Sequence, residues 1–227
     1  MIRARHATDF HAASWQRAWA GAGAGGSGDD VRAALVARYA EPHRAYHTLQ
    51  HLDECLTAFE AVQHLAEHAA EVEMALWFHD AVYDVHRHDN EEASAEWARA
   101  ALRAAGAPAA AAARVAALVL ATKHQAPPRG ADETVLVDID LAILGAEAPR
   151  FAQYEQQIRA EYAFVPEAQF RQRRRDILGS FLSRPRIYGT GHFHALLEER
   201  ARRNLRRAAG APEGAPAPAP DAGRSVR

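Results

Sequence analysis

The stretch Trp77-Phe78-His79-Asp80-Ala81-Val82-Tyr83-Asp84 constrains this chain more than any other. A His-Asp pair follows directly on an apolar segment that reads as a buried helix. An ionisable group in such a place must be paired, hydrogen-bonded or bound to metal, because leaving it bare costs several kcal/mol or more. Imidazole beside carboxylate suits a divalent ion, so the question is where further donors lie.

The 227 residues fit one domain with an appendage and bury a core without help from disulfides. Lys and Arg number 27 against 29 Asp and Glu, a formal charge of −2, which marks no global field for duplex nucleic acid or an anionic membrane. The lone cysteine, Cys55, has no internal partner and fits a reducing compartment as a small buried apolar side chain. Asp9, His11, Gln16 and Arg17 interrupt any apolar core of a signal peptide, and no run approaches the roughly 18 apolar residues of a membrane span. A cytoplasmic, soluble protein is expected. Of 13 histidines, those at 43, 47, 51, 64, 68 and 79 fall in one short region, and chemistry is sought there.

Apolar periodicity predicts helices throughout and no strand, so the fold class is all-α. Phe10, Trp15 and Trp19 place a helix over 9–20, and the glycine-rich 22–28 reads as a flexible loop, giving an N-terminal segment 1–30. Asp29 or Asp30 caps a helix to Tyr39. A long helix runs from Ala45 to about His68, and another from Val72 to about Tyr83. Further helices are expected over 91–105, from Pro108 towards Lys123, over 134–144 with Asp132 as cap and Gly145 as stop, and over 149–163, 167–183 and 192–208. The main domain is 31–208. The Ala/Pro-rich tail, 209–227, has the composition of a disordered segment.

His47 and His51, four residues apart, fall on one face of the expected helix, so both can reach one site. A later carboxylate is sought in the apolar segment 135–144, which holds Asp138 and Asp140. They lie about 200° apart around a helix, so one of them faces the site. Asp140 is preferred because Leu136, Val137, Ile143 and Leu144 surround it. Asp138 then takes a capping or supporting role.

Tyr-His-x-x-x-His at 46–51, Trp-Phe-His-Asp-Ala-Val-Tyr-Asp at 77–84, Asn-Glu-Glu-Ala-Ser-Ala at 90–95 and Asp-Ile-Asp-Leu-Ala-Ile-Leu-Gly at 138–145 together resemble the HD superfamily of metal-dependent phosphohydrolases, in particular a bacterial branch of it. The resemblance covers roughly residues 31–207. It implies an HD-domain-like helical bundle with His51, His79, Asp80 and Asp140 as metal ligands, and hydrolysis of a phosphate ester, a nucleotide among the candidates, by a metal-bound hydroxide. The Tyr-His pair is also similar to a motif of cyclic-nucleotide phosphodiesterases, which implies that His47 protonates the leaving oxygen; an ordinary imidazole pKa near 6.5 suits that work. Similarity to enzymes that hydrolyse guanosine polyphosphates implies that Asp84 orients the attacking water, with Glu92 as a further candidate. His124 is either an added ligand for a second ion, as in some members, or a helix C-terminal cap.

The cofactor implied is a divalent ion, Mn, Co, Mg, Zn or Fe, as one ion or two. The partner is a small phosphorylated substrate. Arg44 and Lys123 are candidate phosphate contacts, and Arg186 with Tyr188 a candidate basic and aromatic wall. Two rivals stand beside this reading: a di-iron oxygenase of the same fold, and a non-catalytic module that binds a nucleotide or partner.

Overall fold

The computed structural model describes residues 2–210, with side chains from Ala12 onward. The described chain is all-α, with ten α-helices and no strand among the described residues. The helices are α1 Ile2–Gly21, α2 Asp29–Tyr39, α3 Leu49–Val62, α4 Ala69–Phe78, α5 Asn90–Ala104, α6 Ala109–Ala121, α7 Gly130–Asp140, α8 Ala148–Glu161, α9 Glu167–Leu182 and α10 Gly191–Ala209. They form two compact units that divide between Asp140 and Leu141. No described helix is long and apolar enough to cross a membrane. The expected tail lies, beyond Gly210, outside the described residues.

In the first unit α4 is the hub. Every residue from Glu71 to Phe78 is buried, as expected of a helix that is apolar on all sides, and it packs against α1, α3, α5, α6 and α7. Two acids sit in this apolar helix and both are answered. Glu73 accepts hydrogen bonds from Ser14 Oγ at 2.8 Å and Arg17 Nε at 2.9 Å. Glu71 takes a two-pronged contact from Arg114, both arms 2.6 Å. Trp15 of α1 meets Trp77 edge-on with ring centroids 5.3 Å apart, so the N-terminal helix is part of this core. The glycine-rich loop read as flexible is pinned, because Trp15 Nε1 donates to Ser27 O, Trp19 Nε1 to Gly25 O, and Gly25 N to Ala105 O.

Several helix ends differ from the expected ones, each for a local reason. α3 starts at Leu49, not Ala45, because the Thr48 hydroxyl accepts from Gln50 N and caps it. α2 follows a left-handed Gly28, so Asp29 and Asp30 occupy its first turn and do not cap it. Asp132 bonds the amides of Glu67 and His68 ahead of α4, serving that helix and not its own. α4 ends at Phe78, five residues short of expectation. The carbonyls of Trp77, Asp80 and Ala81 are taken by the Tyr39 hydroxyl and the Arg44 guanidinium, which leaves no ladder for another turn.

In the second unit a 3-10 turn, Leu141–Gly145, is stitched to α10 and its approach. Tyr188 Oη donates to Leu141 O at 3.0 Å, Asn204 Nδ2 donates to the carbonyls of Leu144 and Ala146 at 2.9 Å each, and Arg200 Nε donates to Gly145 O. Gly145 is therefore no left-handed stop. It allows close approach: a Cβ there would lie 2.7 Å from Leu197 Cβ.

Candidate metal centre

Three elements of the first unit bring four donors together. His51 comes from the first turn of α3, His79 and Asp80 from the two residues that follow α4, and Asp140 from the last residue of α7. His51 Nε2 lies 3.0 Å from His79 Nε2, 3.5 Å from Asp80 Oδ2 and 3.3 Å from Asp140 Oδ1. His79 Nε2 lies 3.0 Å from Asp80 Oδ2 and 3.7 Å from Asp140 Oδ1. Donors bound at about 2.1 Å around one ion stand roughly 3.0 Å apart at right angles and roughly 3.4 Å apart in a tetrahedron. The observed edges match that spacing.

The proton and lone-pair arrangement also fits a cation. His79 Nδ1 donates to Leu76 O at 2.8 Å, which turns the Nε2 lone pair of the neutral ring towards the other donors. Asp80 Oδ2 is buried and accepts no hydrogen bond, its distance to His79 lacking the alignment of one. A buried carboxylate oxygen without a donor is costly, and a bound ion would answer it. The imidazole side is sealed, with the His51 and His79 side chains 3% and 1% exposed, while Asp80 and Asp140 keep 18% and 14%. Solvent therefore reaches the centre past the carboxylates.

Ion-free, the centre holds its charges by mutual attraction. Burial alone would lower the His79 pKa, but the neighbouring Asp80 and then Asp140 raise it to about 9. Burial would raise both acids. For Asp80 the His79 charge, followed by that of His47, holds the carboxyl well below its usual range. For Asp140 the hydrogen bonds from His124 and His51 do the same.

Cys55, one turn after His51 in α3, completes a group with His51, His79 and Asp140 whose donor atoms lie within 4.8 Å of one another. Its Sγ is 3.7 Å from both ring nitrogens of His51. Equal distances at that range set the sulfur over the imidazole and not at the end of the Nε2 lone pair. Burial, then the charges of Asp140 and Asp80, push the thiol pKa well up. Cys55 thus packs the ring that Asp80 and Asp140 engage. From the sequence alone Cys55 reads as a core residue with no link to the site.

Other anticipated residues fall in varied places. His47 precedes α3, so the shared helical face expected for His47 and His51 does not exist. Its ring still lies 6.0 Å from that of His51 and stacks on Tyr83 at 4.0 Å. Arg44 is not offered to a phosphate. Its side chain is fully buried and donates to Glu41 Oε2 and to the carbonyls of His47, Asp80 and Ala81, tying the His47 segment to the His79-Asp80 turn. Asp84 folds its own turn: Oδ1 accepts from His86 N at 2.8 Å, and its backbone N and O are both bonded by Asn90. Glu92 and Lys123 form an ion pair with each other. Asp138 is buried at 1% exposure within α7, and Asp140 is the acid that joins the donors.

In the second unit Tyr188 is core, fully buried with its ring stacked on Phe193, so it offers no face to a base; Arg186 is exposed. Three supporting residues carried no role in the sequence reading. Tyr39 bonds Asp80 N and Trp77 O, Ser94 Oγ bonds the Val82 amide at 3.0 Å, and Asn90 fixes Asp84. Asn90 and Ser94 belong to the Asn-Glu-Glu-Ala-Ser-Ala motif, and their short polar side chains just before an apolar helix face were the available signal. No protein-family model, curated protein or solved structure matches the chain, so the centre has to be understood from its own chemistry.

Proposed function

We propose that the chain is a metal-dependent phosphohydrolase of the HD type, with His51, His79, Asp80 and Asp140 as the ligands of a divalent ion. The observation that carries this reading is that His51 Nε2 and His79 Nε2 lie 3.0 Å from each other and each 3.0–3.7 Å from Asp140 Oδ1 and from Asp80 Oδ2, a buried oxygen that accepts no hydrogen bond. A bound divalent ion supplies an acidified water and polarises a phosphoryl oxygen. Two neutral imidazoles and two carboxylates leave a dication formally balanced, and such mixed N/O donors suit Mn, Co, Zn or Fe.

The remaining work falls to side chains around the four. His47, on the rim and stacked on Tyr83, is the group to deliver a proton to the leaving oxygen, since Arg44 holds its backbone beside Asp80. Asp80 and Asp140 form the more exposed side of the centre, so the attacking water would enter there. Arg44 and Asp84 keep the turn in register. Phosphate contacts are sought among groups other than Arg44.

The test is a screen of phosphorylated metabolites with Mn²⁺, Co²⁺, Mg²⁺ and Zn²⁺ added separately. His79→Ala is expected to lose both bound ion and activity. His47→Ala is expected to keep the ion and lose about 100-fold or more in kcat, the usual worth of a positioned acid. Full turnover in His47→Ala removes it as the acid, and a folded wild type that binds no ion overturns the whole reading.

A further inference from the structure

α6 ends at Ala121, and the amides of Lys123 and His124 close its last turns on Leu120 O and Ala121 O. His124 then adopts φ +54°, the one positive φ of a non-glycine residue among the described residues. Left-handed backbone at a helix end belongs to glycine, because a Cβ crowds the following carbonyl. This chain obeys that rule elsewhere: Gly106 follows α5 at φ +82°, and Gly210 caps α10 at φ +70°. An imidazole at this position needs a local reason, and strained backbone of this kind collects at functional sites.

The reason lies 2.9 Å away. His124 Nε2 donates to Asp140 Oδ2, while Asp140 Oδ1 is the oxygen that faces His51 Nε2 at 3.3 Å and His79 Nε2 at 3.7 Å. The two oxygens of one carboxylate therefore have separate tasks. We infer that His124 is a positioning residue for the metal centre: by holding Oδ2 it fixes the carboxylate plane of Asp140 so that Oδ1 alone is presented to the ion. This rests on the metal-binding reading above. It gives His124 Nε2 no ion of its own, because a ring nitrogen whose proton is engaged with Oδ2 has no lone pair to give there. Hydrogen bonds of this outer kind change metal affinity by about 10–100-fold.

The experiment titrates the metal-stripped full chain with Co²⁺, followed by its visible absorption, and melts the same samples in EDTA. The variants are His124→Gly, which removes the imidazole and relieves the backbone, and His124→Gln, whose amide nitrogen has nearly the reach of Nε2. The expected result is one Co²⁺ per wild-type chain, affinity lower by about 10–100-fold in His124→Gly with an EDTA melting temperature within a few degrees of wild type, and recovery of most of that affinity in His124→Gln. Unchanged affinity in His124→Gly overturns the inference. So does a second Co²⁺ lost with the imidazole, which makes His124 a ligand, or a melting temperature that collapses with the affinity, which makes it a strut of the fold. A wild-type chain that takes up no Co²⁺ removes the metal centre itself.

Discussion

Ion-free protein should lose stability as pH rises from neutrality, and this follows from His79 specifically. Among the described residues, His51 from α3, Asp80 beside it and Asp140 from α7 lie nearest its Nε2, with the Cys55 thiol in the same group. The two carboxylates raise the His79 pKa to about 9. A group whose folded pKa exceeds its unfolded value lends stability that is full below the unfolded pKa and is lost as pH climbs through the folded one. With an unfolded value near 6.5, the window runs from about pH 6.5 to about pH 9, and 2.5 units at about 1.36 kcal/mol each give roughly 3 kcal/mol. For a chain of this size that is a fall of roughly 6–12 °C in melting temperature. Asp80 and Asp140, depressed below the carboxylate range, act in the opposite window: their contribution is present above pH about 4 and is lost as acid protonates them.

Thermal melts in EDTA at half-unit steps from pH 6 to 9.5 measure the effect directly. Asp80→Asn removes the leading cause of the raised pKa and should flatten the curve. A wild-type melting temperature that is level across the window, or a slope that survives Asp80→Asn unchanged, refutes the reasoning.

Arg44→Lys should destabilise the fold by about 2–4 kcal/mol in chemical denaturation, because an ammonium cannot serve Glu41 and three carbonyls at once and leaves buried acceptors unmet; wild-type stability with a raised KM for a phosphorylated substrate would restore Arg44 as a phosphate contact. Gly145→Ala should lower stability by about 1–3 kcal/mol, since its Cβ has no room before Leu197, and an unchanged denaturation midpoint would show that the turn yields. Metal analysis should separate the two acids of α7: Asp140→Asn loses the ion, whereas Asp138→Asn keeps it, and the reverse would exchange their roles.

The helical class was legible from period alone, and so was the hub, since an apolar run ending in His-Asp has few places to go. The resemblance of the spaced motifs supplied an expected donor set, and the observed geometry brings those four side chains together. What the sequence concealed was long-range. Arg44 stands next to a histidine cluster and reads as a phosphate contact; only the carbonyls of Asp80 and Ala81, far along the chain, reveal it as a clamp. Local signals were also missed. Thr48 is a good capping residue, and heeding it would have placed His47 outside α3. In the sequence the apolar neighbours of Asp140 favour it over Asp138, yet Asp138 is the more buried of the two, and Asp140, the last residue of α7, is the one beside the imidazoles.

Because α4 is the centre of the core and leads directly into His79-Asp80, any ion that the proposed centre binds is linked to folding. An ion that binds the native centre at a hundred times its dissociation constant raises stability by about 2.7 kcal/mol. Melting curves recorded against a panel of metals thus rank the ions by affinity before any substrate is known. The hub also ties core to chemistry: a truncation of fully buried Leu76 or Phe78 should lower stability and, through it, uptake of any ion the proposed centre holds.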